Sequence, residues 1–162
     1  MFLWFVGASM VIVWLVFRSP AVDYRVVALG SALPLLDALT RGLYVLHTLV
    51  APAVILGVVV LATRGRRLAQ RRWIGVPIGM FLHLVLDGMW TRTEAFWWPA
   101  FGCDLDGRLP ELTRGLLLVA AMEVAGLAAL VWLARSFHLD DPVNRARFLR
   151  TGHLPRDIAR GP

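Results

Sequence analysis

Five apolar stretches constrain the fold of this chain more than any other feature of its sequence. Hydrophobic residues make up 58% of the 162 residues and charged residues only 17%, whereas a typical soluble domain has about 25% charged residues. A helix crosses the hydrocarbon core with roughly 17–25 apolar residues. The sequence therefore predicts an all-α fold: an integral membrane bundle of about five transmembrane helices with a polar C-terminal tail. The predicted segments are about 1–17, 24–38, 43–63, 73–90 and 116–134.

The arginines predict how this bundle is oriented. Five of them lie in the connection 64–72 and six in the tail 135–162, whereas the turn between the second and third segments has only Arg41. Because basic loops stay on the cytoplasmic side, we expect the N-terminus outside and the C-terminus in the cytoplasm. The chain then divides into a transmembrane helical domain, 1–134, and a cytoplasmic basic tail, 135–162. The same rule accounts for the net charge of +6, so the expected partner is the lipid bilayer and no nucleic acid is expected.

Five ionisable residues stand out in the apolar segments, where such a group costs roughly 2.5–3.5 kcal/mol on insertion scales and is a functional candidate by default. His83 and Asp87 are four residues apart, which puts them on one face of a helix, one turn apart. With the predicted orientation, Asp37 and His47 fall in the same outer layer of the membrane as this pair. Imidazole and carboxylate groups are ligands for zinc-like metals. The fifth residue, Glu123, lies in the middle of the last segment.

Each of these residues also has an ordinary structural interpretation. His47 and the His83–Asp87 pair can serve as hydrogen-bonded core residues, Asp37 can pair with Arg41, and Asp87 can pair with Arg92. Glu123 is too deep to reach the membrane surface, so we expect it to face the bundle. The sequence leaves open whether it is a fifth ligand, a general base or the partner of an arginine.

The segments GSALPLLD (30–37), HT (47–48) and HLVLD (83–87), followed by the aromatic WWP of 97–99, resemble a known family. It is the family of small bacterial inner-membrane proteins described as membrane-bound metal-dependent hydrolases, whose motifs are similar to those of zinc phospholipase C-like enzymes. The resemblance covers roughly residues 28–102. The chain departs from the family pattern by having Leu35 after Pro34 and no histidine before His47, so it is a candidate degenerate member.

The resemblance implies a plasma (inner) membrane location and a divalent metal, zinc first, with Asp37, His47, His83 and Asp87 as its ligands. It also implies a lipid or phosphoester substrate, which we place at the outer face of the membrane. A metal of this kind would lower the pKa of a water toward ~7. Glu94 and Glu123 are then the candidates for the general base or acid. The predicted function is a membrane-bound metal-dependent hydrolase.

Two other functions remain open on the sequence. The first is a non-enzymatic membrane subunit or scaffold, whose tail segment 144–150 lies on anionic lipid or on a protein partner. The second is a proton or ion pathway through Glu123, His83 and Asp87. An enzyme would need a bound metal and would lose it with His83 or Asp87, a scaffold would tolerate both changes, and a pathway would need Glu123.

Overall fold

The regular structure of the protein is helical. The computed structural model describes residues 1–39, 44–102 and 114–154, and these contain helices and no strands. The α-helices are α1 Phe2–Phe17, α2 Tyr24–Ala32, α3 Val50–Ala62, α4 Arg67–Trp73, α5 Gly75–Asp87, α6 Thr93–Phe96, α7 Leu116–Ser136 and α8 Pro142–Thr151. Three 3₁₀ segments join them, Leu33–Leu39, Val45–His47 and Met89–Thr91.

Local sequence signals account for the ends of several helices. Asp23 is the N-cap of α2, and its side chain accepts a hydrogen bond from the backbone N–H of Arg25. The helix changes to 3₁₀ geometry around Pro34, which has no N–H to donate. α5 ends at Gly88, whose φ of 74° is a left-handed conformation that glycine adopts without steric cost. These signals set the ends of α2 and α5, the helices that lead to Asp37 and contain His83.

The all-helical prediction is confirmed for the described residues, and each of the five predicted segments contains a helix. Only α7, with 21 residues, is long and apolar enough among the described helices to cross a membrane by length and composition. α1 and α3 are apolar but have 16 and 13 residues. A bundle of five spans therefore stays a prediction, whereas one candidate span is observed.

Many large apolar side chains are exposed, whereas several ionisable side chains are buried beside the apolar core. Large apolar side chains point outward, with Leu116 and Leu117 86% exposed and Leu61 71% exposed. The buried set, in contrast, includes polar and ionisable residues: Ser9, Asp23, Ser31, Asp37, His47, Thr48, Thr63, His83 and Asp87. Soluble proteins almost never bury so many ionisable groups while exposing apolar helices. This arrangement is the one expected where lipid surrounds the helices.

Glycines allow two helix pairs to pack closely. A Cβ atom on Gly79 of α5 would clash with the backbone of Val27 and Ser31 in α2, and one on Gly30 would clash with the backbone of Val76. Gly7 of α1 and Gly126 of α7 have the same relation, each lying against the other helix's backbone. Small residues at such positions bring helix backbones together in membranes, where packing rather than the hydrophobic effect drives association.

The described part of the predicted tail, residues 135–154, is folded against the bundle. α7 continues to Ser136, and the next residue, Phe137, is fully buried. The N–H of Tyr24 donates to the carbonyl of Gly152, and the N–H of Leu154 donates to the carbonyl of Pro20. The helices and the beginning of the tail thus share one apolar cluster, which includes Tyr24, Phe137 and Leu154.

The close contact between α2 and α5 predicts a difference between two glycine variants. Gly79→Ala should destabilise the protein by about 1–3 kcal/mol, because the added methyl group forces two backbones apart. Gly57→Ala is the matched control, since Gly57 lies in α3 with open space around its Cβ position. Thermal unfolding of both variants in detergent, followed by circular dichroism, measures the difference. Equal midpoints for the two variants would show that the contact contributes nothing.

Candidate functional site

The candidate site begins with Asp37 and His47, which come from two consecutive 3₁₀ segments. Both side chains are buried, with 3% and 0% exposure. Asp37 Oδ2 lies 2.9 Å from His47 Nδ1 and also accepts the backbone N–H groups of Leu46 at 2.8 Å and of His47 at 3.2 Å. One carboxylate oxygen therefore fixes both the backbone and the ring of the histidine segment.

His83 is held by a different oxygen on a neighbouring helix. Its Nδ1 lies 2.7 Å from the backbone carbonyl of Ser31 in α2, and Phe5 of α1 stacks on the ring with centroids 3.8 Å apart. The ring is fully buried. The contact with Ser31 depends on the close approach of α2 and α5, because Gly79 lies one turn before His83 on the same helix.

The two histidines lie against each other inside the bundle. Their ring centroids are 5.3 Å apart and the rings are nearly perpendicular, at 78°. Each ring has an oxygen acceptor at Nδ1, which favours a proton on that atom and leaves the lone pair of a neutral imidazole on Nε2. Histidines that bind metals usually have this arrangement, in which a carboxylate or a carbonyl orients the ring from behind.

Asp87, the fourth predicted ligand, pairs with Arg114, which is 27 residues further along the chain. Arg114 Nη1 lies 2.8 Å from Asp87 Oδ1, and Arg114 Nη2 donates to the backbone carbonyl of Asp87 at 2.8 Å. The carboxylate is buried and the arginine side chain is 17% exposed. Asp87 thus forms an ion pair with Arg114, and its pairing with Arg92 stays a prediction. Arg41, considered for Asp37, lies outside the described residues.

The two predicted acid–base residues lie in other surroundings. Glu123 of α7 reaches the beginning of α1, where its Oε2 accepts the N–H of Leu3 at 3.1 Å and its Oε1 lies 2.6 Å from the amino group of Met1. The carboxylate thus satisfies the N-terminal end of a helix, where donors lack partners within the helix. Glu94 is exposed on α6. No described contact joins either side chain to the histidines, so their catalytic roles stay predictions.

The four predicted ligands meet only some of the requirements of a metal site. Both imidazoles have an oxygen at Nδ1, as metal-binding histidines usually do, and His83 and Asp87 lie on one face of α5. Asp37 is better placed to orient His47 than to bind a metal, because its Oδ2 already accepts three hydrogen bonds. Within the ranges that the structure describes, no group of three or more His, Cys, Asp or Glu side chains has metal-binding geometry. A third ligand therefore requires a movement of Asp87 or a donor from elsewhere.

An apolar groove of about 460 Å³ runs beside the histidines, between α1, α3 and α5. Its lining includes Leu49, two residues after His47, and Leu82, the residue before His83. At the other end it reaches Phe17 and Ile74, the ends of α1 and α4. Its length and apolar lining suit a hydrocarbon chain lying along the helices.

The aromatic segment that the sequence places near the site is only partly exposed. Phe96 is buried with Leu84 and Met89, and its carbonyl accepts the N–H of Leu49 at 2.9 Å. Trp97 and Phe101 are 43% and 68% exposed. The buried end of this segment therefore supports the start of α3, and its exposed end can contact lipid.

The chain matches no protein-family model, and no curated protein or solved structure is significantly similar to it. The resemblance to membrane-bound metal-dependent hydrolases remains an expectation from the motifs.

Sequence reasoning missed three residues of the site: Ser31, Phe5 and Arg114. Ser31 acts through its backbone carbonyl, which leaves no signal in the sequence. Phe5 is one of many aromatic residues in apolar segments. The position of Arg114 just before the last apolar segment is visible in the sequence. Nothing in its spacing, however, indicates that it pairs with Asp87.

The Arg114–Asp87 pair predicts a strong effect of removing the arginine. Arg114→Gln should destabilise the protein by about 3–5 kcal/mol, because it leaves a buried carboxylate without its cation. Glu94→Gln, a neutralisation at an exposed position, should leave the unfolding midpoint unchanged. Chemical unfolding in mixed micelles, followed by tryptophan fluorescence, compares the two. Similar stabilities for Arg114→Gln and the parent protein would show that the ion pair does not hold α5 in place.

Proposed function

We propose that the protein is a membrane-embedded, metal-dependent hydrolase. The observation that supports it most is the pair of buried imidazoles whose Nδ1 atoms are each anchored by an oxygen, Asp37 Oδ2 for His47 and the Ser31 carbonyl for His83. Because every buried histidine needs a hydrogen-bond partner, the feature that favours a metal is that the two anchored rings lie together, with centroids 5.3 Å apart. The arrangement suits metal binding through Nε2.

In this proposal His47 and His83 bind the metal, Asp87 is the third ligand, and Asp37 orients His47. A divalent cation here would act as a Lewis acid and lower the pKa of a water toward ~7. The chain itself holds the two rings at a fixed angle, and Phe5 closes one face of His83. Arg114 has a second function in this proposal, since its guanidinium suits an anionic oxygen when Asp87 turns toward the metal.

The proposed substrate is a lipid-type phosphoester. The apolar groove beside Leu49 and Leu82 gives space for an acyl chain, and the guanidinium of Arg114 matches a phosphate. Hydrolysis would then take place at the end of the bundle where α5 finishes. Glu94 is the remaining candidate for proton transfer, because Glu123 already interacts with the N-terminus of α1.

The proposal places the bundle across the membrane with the site toward the outside. α3 and α5 have 13 residues each, and the 3₁₀ segments Val45–His47 and Met89–Thr91 extend their paths. The arginine-rich connection 64–72 and the arginines of α8 lie at the end of the bundle opposite to Asp87. This charge distribution supports a cytoplasmic location for the basic end.

Metal content tests the proposal directly. We expect about one zinc-like ion per chain in detergent-purified protein, lost in His47→Ala and in His83→Ala. His138→Ala is the matched control, because His138 is exposed after α7, and it should retain the metal. Inductively coupled plasma mass spectrometry on the folded variants provides the measurement.

Absence of metal from folded wild-type protein, after reconstitution with zinc and with manganese, would overturn the hydrolase proposal. Equal metal content in the His83→Ala and His138→Ala proteins would overturn the site. In either case the scaffold interpretation, with the basic tail as its binding surface, would take its place.

Asp37→Asn separates a ligand from an orienting residue. If Asp37 orients His47, the variant should bind the metal about 10–100-fold more weakly without losing the site. If Asp37 is a ligand, metal binding should fall as far as in His47→Ala. Competition against a chromophoric chelator gives both affinities. An affinity equal to that of the parent protein would contradict both roles.

A further inference from the structure

A second candidate site lies at the basic end of the molecule, beside α4 and so at the opposite end of α5 from Asp87. It is a cavity of about 440 Å³ lined by residues of α4 and its two neighbours in space, Ala21 and His153. The residues from α4 are Leu68, Ala69, Arg71, Arg72 and Trp73. Its described lining contains two arginines and a histidine and no acidic residue. We propose that this cavity binds the phosphate-bearing headgroup of an anionic phospholipid.

The charges behind the cavity leave a positive excess at its wall. The buried side chain of Asp23 is 0% exposed and pairs with two arginines. Arg25 donates to both of its oxygens through Nε at 3.1 Å and Nη2 at 3.0 Å, and Arg72 Nε lies 3.1 Å from Oδ2. One negative charge therefore faces two positive charges. Arg72 lines the cavity together with Arg71, whereas Arg25 lies outside its lining.

The same contacts orient Arg72 for a second anion. Its Nε is directed to Asp23 while 51% of its side chain stays exposed, and its guanidinium lies over the Trp73 ring, 5.6 Å from the centroid. A guanidinium has five N–H donors, so the group can bind another acceptor without releasing Asp23. Arg71 and His153 add donors on the same cavity. An arginine held in place in this way loses less conformational freedom on binding phosphate than a mobile one.

The position of the cavity favours a lipid over a free anion. The last turns of α3 expose Val58, Val60 and Leu61, and the chain becomes strongly basic from Arg64 onward. α4 therefore lies where the apolar surface ends. Leu68 is 83% exposed and Trp73 is 42% exposed beside the arginines. Apolar and aromatic side chains next to arginines are typical of helices that lie in the headgroup region.

This inference requires only that the helices lie in a bilayer, and it does not depend on the hydrolase proposal. The cavity would recognise the phosphate of its ligand and the apolar atoms next to that phosphate. Phosphatidylglycerol provides both, whereas inorganic phosphate provides only the charge and phosphatidylcholine adds a cation that the arginines repel.

The test is lipid retention by the full chain. Native mass spectrometry of protein purified in a neutral detergent, with equal amounts of phosphatidylglycerol and phosphatidylcholine added, should show preferential binding of phosphatidylglycerol. Arg71→Gln should weaken this binding about fivefold, the effect of one basic residue near a membrane surface. Arg64→Gln is the matched control, since it removes the same charge from the same connection but does not line the cavity.

Equal losses in Arg71→Gln and Arg64→Gln would overturn the site, because binding would then follow net charge alone. Absence of a preference for phosphatidylglycerol would also overturn it. Inorganic phosphate that raises the unfolding midpoint as much as phosphatidylglycerol does would show that the cavity binds the free anion and not a lipid. If Arg71→Gln does not fold, the second variant is His153→Gln, from the tail side of the cavity. It should weaken lipid retention, whereas the control Arg64→Gln should not.

Discussion

The close packing of α2 on α5 is the contact on which the rest of the site depends. Gly30 and Gly79 let the two backbones approach more closely than side chains would permit. Ser31 follows Gly30, and its carbonyl is the acceptor for His83. α2 then leads through Pro34 to Asp37, which anchors His47. Two residues without side chains therefore determine where two imidazoles meet, which agrees with the role of small residues in membrane helix packing.

The polar groups in the interior are paired with residues from distant parts of the chain. Asp87 is neutralised by Arg114, Asp23 by Arg25 and Arg72, and the beginning of α1 by Glu123. A buried charge without a partner is far more costly than a paired one, particularly where lipid rather than water surrounds the helices. The ion pairs explain how a small bundle can hold ionisable groups without losing its fold. The two ends of the molecule consequently carry different chemistry, with imidazoles and carboxylates at one and arginines at the other.

Local sequence patterns predicted what depends on local structure. The apolar segments anticipated the positions of α1, α2, α3, α5 and α7, and the four-residue spacing placed His83 and Asp87 on one helical face. The proximity of Asp37, His47 and His83 was also foreseeable, since it follows from the direction of each segment. Partners that meet through tertiary packing were not foreseeable: the Ser31 carbonyl, Arg114 and the α1 contact of Glu123 depend on helix positions that no spacing encodes. The α-helices of the second, third and fourth segments are shorter than predicted, because 3₁₀ segments follow α2, precede α3 and follow α5.

The contact between Glu123 and the N–H of Leu3 has a consequence for the order of assembly. It joins residues 120 positions apart, and Gly7 and Gly126 pack the same two helices along their length. During synthesis α1 leaves the ribosome long before α7 exists, so α1 forms without its permanent neighbour. Contacts between distant parts of a chain form late and slowly. The pairing of α1 with α7 is therefore completed late, and truncation before α7 would leave this face of α1 without its partner.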